Sequence, residues 1–186
     1  ALPIWEDRRH IRDADMHRLR GEVALPLNFE MAATEEMLAL AREIRPNACC
    51  LVPERREERT TEGGLDVAGQ VAYLADFCMQ LRTAGIRSSL FIDPSLGQVD
   101  AAVRIGADII ELHTGAYAHG NDELSQLQMA AKHAASLGLE VHAGHGLTFG
   151  NVGAIAAMPG SSPLARGTRG RCDRHQPHPR FIPAGA

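Results

Sequence analysis

Lysine is almost missing from this sequence: Lys132 stands alone against eighteen arginines. A Schiff-base lyase acting on a phosphosugar needs an amine on a strand that faces its substrate. Lys132 falls in a helical stretch, which counts against that chemistry. Long apolar runs are missing too. No stretch approaches the roughly 18 consecutive apolar residues of a membrane-spanning helix. Aromatic residues make up only 4% of the chain, so its basic stretches lack the stacking platforms that single-stranded RNA uses. Of the four cysteines, Cys49 and Cys50 are adjacent and without disulfide or metal spacing, which points to a reducing compartment. There is no HExxH and no His/His/acid spacing, so no metal is expected. No GxGxxG follows a strand; Gly63-Gly64 and the Gly-His-Gly at 144–146 are two-glycine turns rather than phosphate loops.

What is present suits one globular domain: 186 residues, 45% hydrophobic and 23% charged. The net charge of −4 makes nucleic acid a poor main partner. The opening residues turn charged at Glu6 and do not read as a signal peptide. Charge is uneven along the chain. Residues 161–186 hold Arg166, Arg169, Arg171, Arg174 and Arg180 against Asp173, with four prolines and little apolar content. That composition reads as a disordered Arg/Pro-rich tail behind a folded unit at 1–160. Arg, Pro, Gly and Ala are also what a frame-shifted GC-rich gene tends to encode.

Periodicity places five strands between helices. An apolar run at 24–31 puts Leu25, Leu27 and Phe29 on one face and Asn28 and Glu30 on the other. Thr34 caps a helix that Pro46 ends. Strands follow at 48–52, 88–93, from 108 and from 139, with helices at 69–84, 95–105, 121–137 and 150–157 between or after them. A polar loop, PERREERTTEGGLD, separates the second strand from its helix. Strand and helix alternating every 25–30 residues or so is the βα pattern of an α/β fold. The strands are apolar on both faces, as buried parallel strands are. Polar residues gather at strand C-terminal ends, where both a (β/α)8 TIM barrel and a doubly wound sheet build their sites.

Glu30 interrupts a hydrophobic strand. A buried carboxylate is costly unless paired or functional, and burial raises its pKa toward the range of a general base. A plain internal salt bridge is the structural alternative. Glu111 and His113 are two apart and share a strand face; either supplies chemistry, or His113 only supports its neighbour by a hydrogen bond. His145, between two glycines after a strand, suits an acid or a phosphate contact. His142 on the same strand could merely line the interior. Arg8, Arg9 and His10 could meet a phosphate dianion or form a solvated charge run. Thr60 and Thr61, before Glu62 and two glycines, read as a phosphate-touching lid or as an ordinary capping turn.

Together these segments resemble a known family. EDRRHI at 6–11, NFEMAATEEML at 28–38, CCLVPERREERTTEGGLDV at 49–67, SLFID at 89–93, ELHTGAYA at 111–118 and AGHGLT at 143–148 are similar to pyridoxine 5'-phosphate synthase. The resemblance covers about residues 6–160. It implies a cytoplasmic (β/α)8 barrel with extra helices, assembled as octamers, with neither metal nor organic cofactor. The implied reaction condenses 3-amino-2-oxopropyl phosphate with 1-deoxy-D-xylulose 5-phosphate, releasing pyridoxine 5'-phosphate, phosphate and water. By the same resemblance Glu30 matches a catalytic base, Glu111 a transition-state-stabilising carboxylate and His145 a proton donor. Gly146, His10 and Thr60 match substrate-binding positions.

The chain also departs from the family's pattern. A catalytic histidine and a substrate arginine that precede EDRRH in the family are Pro3 and Trp5 here. The family's first strand, with its substrate contacts, has no counterpart, and its last strand with a Gly-His phosphate pair is replaced by the Arg/Pro tail. His142 stands where asparagine is common. These departures lead to the expectation of an incomplete barrel with weak or no turnover. A non-catalytic remnant and another phosphosugar-handling barrel lyase are the alternatives.

Overall fold

The computed structural model describes residues 2–3, 11–53 and 63–158. The chain builds β1 (Leu2–Pro3), α1 (Asp13–Glu22), β2 (Asn28–Ala32), α2 (Glu35–Ile44), β3 (Ala48–Val52), α3 (Val71–Thr83), β4 (Arg87–Ile92), α4 (Leu96–Arg104), β5 (Ile109–His113), α5 (Gly115–Ala118), α6 (Leu124–Ser136), β6 (Glu140–Gly144) and α7 (Val152–Ala156). A single 3-10 turn at Ala68–Gln70 leads into α3.

All five pairings in the sheet are parallel, and the strands lie in sequence order from β1 to β6. A doubly wound sheet reverses its order at a switch point. No reversal occurs here, so each crossover adds the next strand on the same side. That is how a barrel wall grows. Among the described residues the wall has six strands and does not close on itself.

Alternation gives the wall two different faces. Phe29, Met31, Cys49, Leu51, Leu90, Ile92, Ile110, Leu112, Val141 and Ala143 point outward into one continuous core with the helices. Their neighbours in sequence point inward and are mostly polar. The helices supply matching apolar stripes. On α2, Met37, Leu38, Leu40, Ala41 and Ile44 are buried, while Glu35 and Glu36 lie in the first turn. The Thr34 hydroxyl accepts the Met37 N–H at 3.3 Å, which is the expected cap. The helix ends with Arg45 in the left-handed region at φ 50°, ahead of Pro46.

Expected and observed boundaries agree within a few residues, with four differences. A sixth strand, β1, pairs with β2 where the sequence reading has none. The run at 24–31 shortens to a strand at 28–32, and Leu25 is left 74% exposed. The helix α1 was not legible, because only Met16 among its ten residues is buried. The short α5 follows β5 in a stretch to which the sequence reading assigns no element. The tail at 161–186 lies outside the described residues.

Candidate active site

The inward residues form two levels of the wall. At the lower level, strand register sets Glu30 beside Cys50 and Cys50 beside Ser89. At the next level, Phe91 pairs with Glu111 and Glu111 with His142. Glu30 is only 4% exposed and Ser89 is fully buried. The Cys50 thiol donates to Glu111 Oε2 across 3.8 Å. Its own pKa is pushed well up by burial and by the Glu111 charge, so it stays a thiol and can only donate to that carboxylate. Burial also raises the pKa of Glu111, against opposing pulls from His142, Cys50 and His113. Asn28 Oδ1 is buried on this face with no hydrogen-bond partner among the described residues. A lumen of this kind suits a polar ligand.

Below Glu111 the wall is braced by charge. Arg87 Nη2 bonds Glu140 Oε2 at 2.7 Å, and His142 Nε2 meets Glu140 Oε1 at 2.9 Å. Burial pushes the Glu140 carboxyl up, but bonds from His142 and Arg87 hold it below its ordinary range. His142 is therefore the held neighbour of Glu111 rather than a bare lining residue.

The rim carries the histidines. His113 Nδ1 lies 3.3 Å from Asp93 Oδ1, and the hydrogen bond from His113 is the main reason Asp93 has a lowered pKa. The His113 and His145 rings are 4.9 Å apart between centroids, and Phe91 packs edge-on to His113 at 5.0 Å. His145 adopts φ 101°, a region that favours glycine. The conformation is fixed from outside: Thr114 Oγ1 donates to the His145 carbonyl at 2.6 Å, and the Thr114 N–H to the Gly144 carbonyl at 3.0 Å. A side chain held against its backbone preference marks functional sites. Gly146 follows at φ 71°, and a Cβ there would come 2.9 Å from the Ala118 Cβ. Beside these rings a cleft of about 610 Å³ is lined by Gly63, Asp93, His113, Gly115 and His119, among others.

The structure thus gathers Glu30, Glu111, His113, His142, His145 and Gly146 at the inner wall and C-terminal rim of one sheet. His10 and Thr60 lie outside the described residues, as do Arg8, Arg9 and Thr61. Cys50, Phe91 and Asp93 were not foreseen. Parity could have found them, since Ser89, Phe91 and Asp93 alternate within one strand and its exit. Among the described residues no group of three or more acidic, His or Cys side chains is placed to hold a metal. No helix there is long and apolar enough to cross a membrane.

The family profile described as "Pyridoxal phosphate biosynthesis protein PdxJ" matches residues 2–168. The chain belongs to the PdxJ family. The match runs slightly beyond the 6–160 expected from the motifs. A pyridoxine 5'-phosphate synthase of Xanthobacter autotrophicus is 60% identical over 165 residues, covering 84% of this chain and 64% of that protein. Another, from Gluconobacter oxydans, is 60% identical over 162 residues, covering 87% of this chain and 69% of its relative. The chain therefore spans about two thirds of the length of such PdxJ relatives. Among solved structures an L-ribulose 3-epimerase superposes with a TM-score of 0.50 at 18% identity, over 73% of this chain and 58% of the other. That likeness speaks for a barrel-type α/β fold alone.

Proposed function

We propose that this PdxJ-family chain carries the pyridoxine 5'-phosphate synthase reaction, condensing 3-amino-2-oxopropyl phosphate with 1-deoxy-D-xylulose 5-phosphate. The carrying observation is that Glu30 and Glu111 share the inner wall, with His145 beside His113 at the rim of the same sheet in a strained backbone. Imine formation, enolisation and loss of water each need protons taken and returned at a shielded centre. Glu30, nearly fully buried, serves as the base. Glu111 faces the cationic and electron-poor stages as a carboxylate. His145 donates the proton that lets a leaving oxygen depart, and the backbone at Gly146 approaches the substrate closely. His10 and Thr60 complete the phosphate contacts. The reaction calls for two phosphorylated substrates and no cofactor; a homo-octamer in the cytoplasm is the assembly and place the family reading carries.

A second reading, a non-catalytic remnant, is favoured by Pro3 and Trp5 standing where the family pattern has a histidine and an arginine. A barrel lyase working through a Schiff base is disfavoured, since Lys132 sits on α6 and not on a strand. One assay separates these readings. The purified chain is supplied with both substrates and product is followed chromatographically. Slow product formation, with kcat falling about 10²–10⁴-fold further in Glu30→Gln and in His145→Asn, is the expected result. A folded protein that makes no product, or variants that turn over like the parent, would overturn the synthase reading.

A further inference from the structure

We propose that Asp93 is a positioning residue that holds His113 as its Nδ1–H tautomer and so presents Nε2 to the cleft as a second proton acceptor of the site. This rests on the synthase reading only for the use made of that nitrogen.

Three independent observations carry it. Asp93 sits just past the C-terminal end of β4; its Oδ1 accepts the Gly64 N–H at 2.9 Å and lies 3.3 Å from His113 Nδ1. A carboxylate accepts only, so the facing nitrogen is the protonated one, and in the neutral imidazole the other carries the lone pair. Gly115 then keeps that lone pair uncovered: a Cβ there would lie 2.7 Å from His113 Nε2 and 2.8 Å from Cε1. Finally, His113 and Gly115 both line the cleft of about 610 Å³. His113 itself is 7% exposed, so it cannot exchange partners freely with solvent. Phe91 and His145 flank the ring, and Glu111 is the other ionisable group on its strand face. Asp93 thus meets the Gly64 backbone and the imidazole through one oxygen.

Long-range proton–nitrogen NMR of protein labelled with ¹⁵N-histidine tests the tautomer without any turnover. The His113 signals are assigned by their loss in His113→Gln. The expected result is an Nδ1–H pattern in the parent and a shift toward Nε2–H in Asp93→Ala. An Nε2–H or doubly protonated pattern in the parent, or no change in Asp93→Ala, would overturn the proposal. The use of Nε2 is read from Gly115→Ala, which leaves Asp93 in place but covers that nitrogen. There kcat falls about tenfold or more while KM changes little; unchanged kcat removes the proton-acceptor role. A parent without turnover refutes the synthase reading, and the spectra still decide the tautomer.

Discussion

Glu111 is partly buried on β5 with the Cys50 thiol against it, and burial lifts its pKa above the ordinary glutamate value. The linkage has a definite sign. A carboxyl whose folded-state pKa is raised binds its proton more tightly in the native protein. Its contribution to stability is full below the unfolded-state pKa and is lost as pH rises through the folded one. Glu111→Gln should therefore raise the melting temperature at neutral pH, and the gain should vanish in acid below the ordinary carboxylate range. In the same variant kcat should fall about 10²–10³-fold, as when a charge-stabilising group is removed. Thermal melts across pH check the first part, and equal gains at every pH would refute it. Glu30 and Glu111 were legible in the sequence because a carboxylate on an apolar strand has few bland explanations. The Asp93–His113 bond was not, since it joins β4 to β5 and no local spacing records it.

At the scale of elements, a glycine fixes how the polar loop rejoins the wall. A Cβ on Gly64 would lie 2.3 Å from the Asp93 nitrogen and 2.5 Å from the Ile92 carbonyl carbon. Both are backbone atoms at the end of β4, so neither can swing aside. Gly64→Ala should destabilise the fold by about 1–3 kcal/mol, the usual cost of forcing atoms into a packed place. Gly63→Ala, whose Cβ would meet only Asp93 Oδ2 at 3.6 Å, should stay within about 0.5 kcal/mol of the parent. Urea unfolding of the two variants checks the contrast; similar losses in both would refute it. The Gly-Gly pair was visible in the sequence as a turn, but which glycine is obligatory depends on the approach of β4. Helices with an apolar stripe and a cap, such as α2, were readable from end to end. The helix α1 escaped because it offers the core little beyond Met16, so there was no periodicity to detect.

At the scale of the whole molecule, the sequence order of the strands makes β6 the end of the described sheet. Its pairing shows which groups that edge exposes. The Glu140 N–H bonds to the Asp108 carbonyl, and the Gly144 carbonyl accepts the Thr114 N–H. By strand alternation Glu140, His142 and Gly144 address β5, while Val141 and Ala143 turn their N–H groups the other way. Their side chains are buried in the core while that of His142 is only partly so, so burial alone would give the opposite order. Hydrogen exchange separates the two sets, because it reads the backbone partner. Val141 and Ala143 should exchange about tenfold faster, or more, than His142 and Gly144. Equal protection of all four would mean that another strand lies along β6, either from chain outside the described residues or from a second copy. The wall that holds Glu111 and His142 would then be part of a fuller barrel, and the open edge would be refuted.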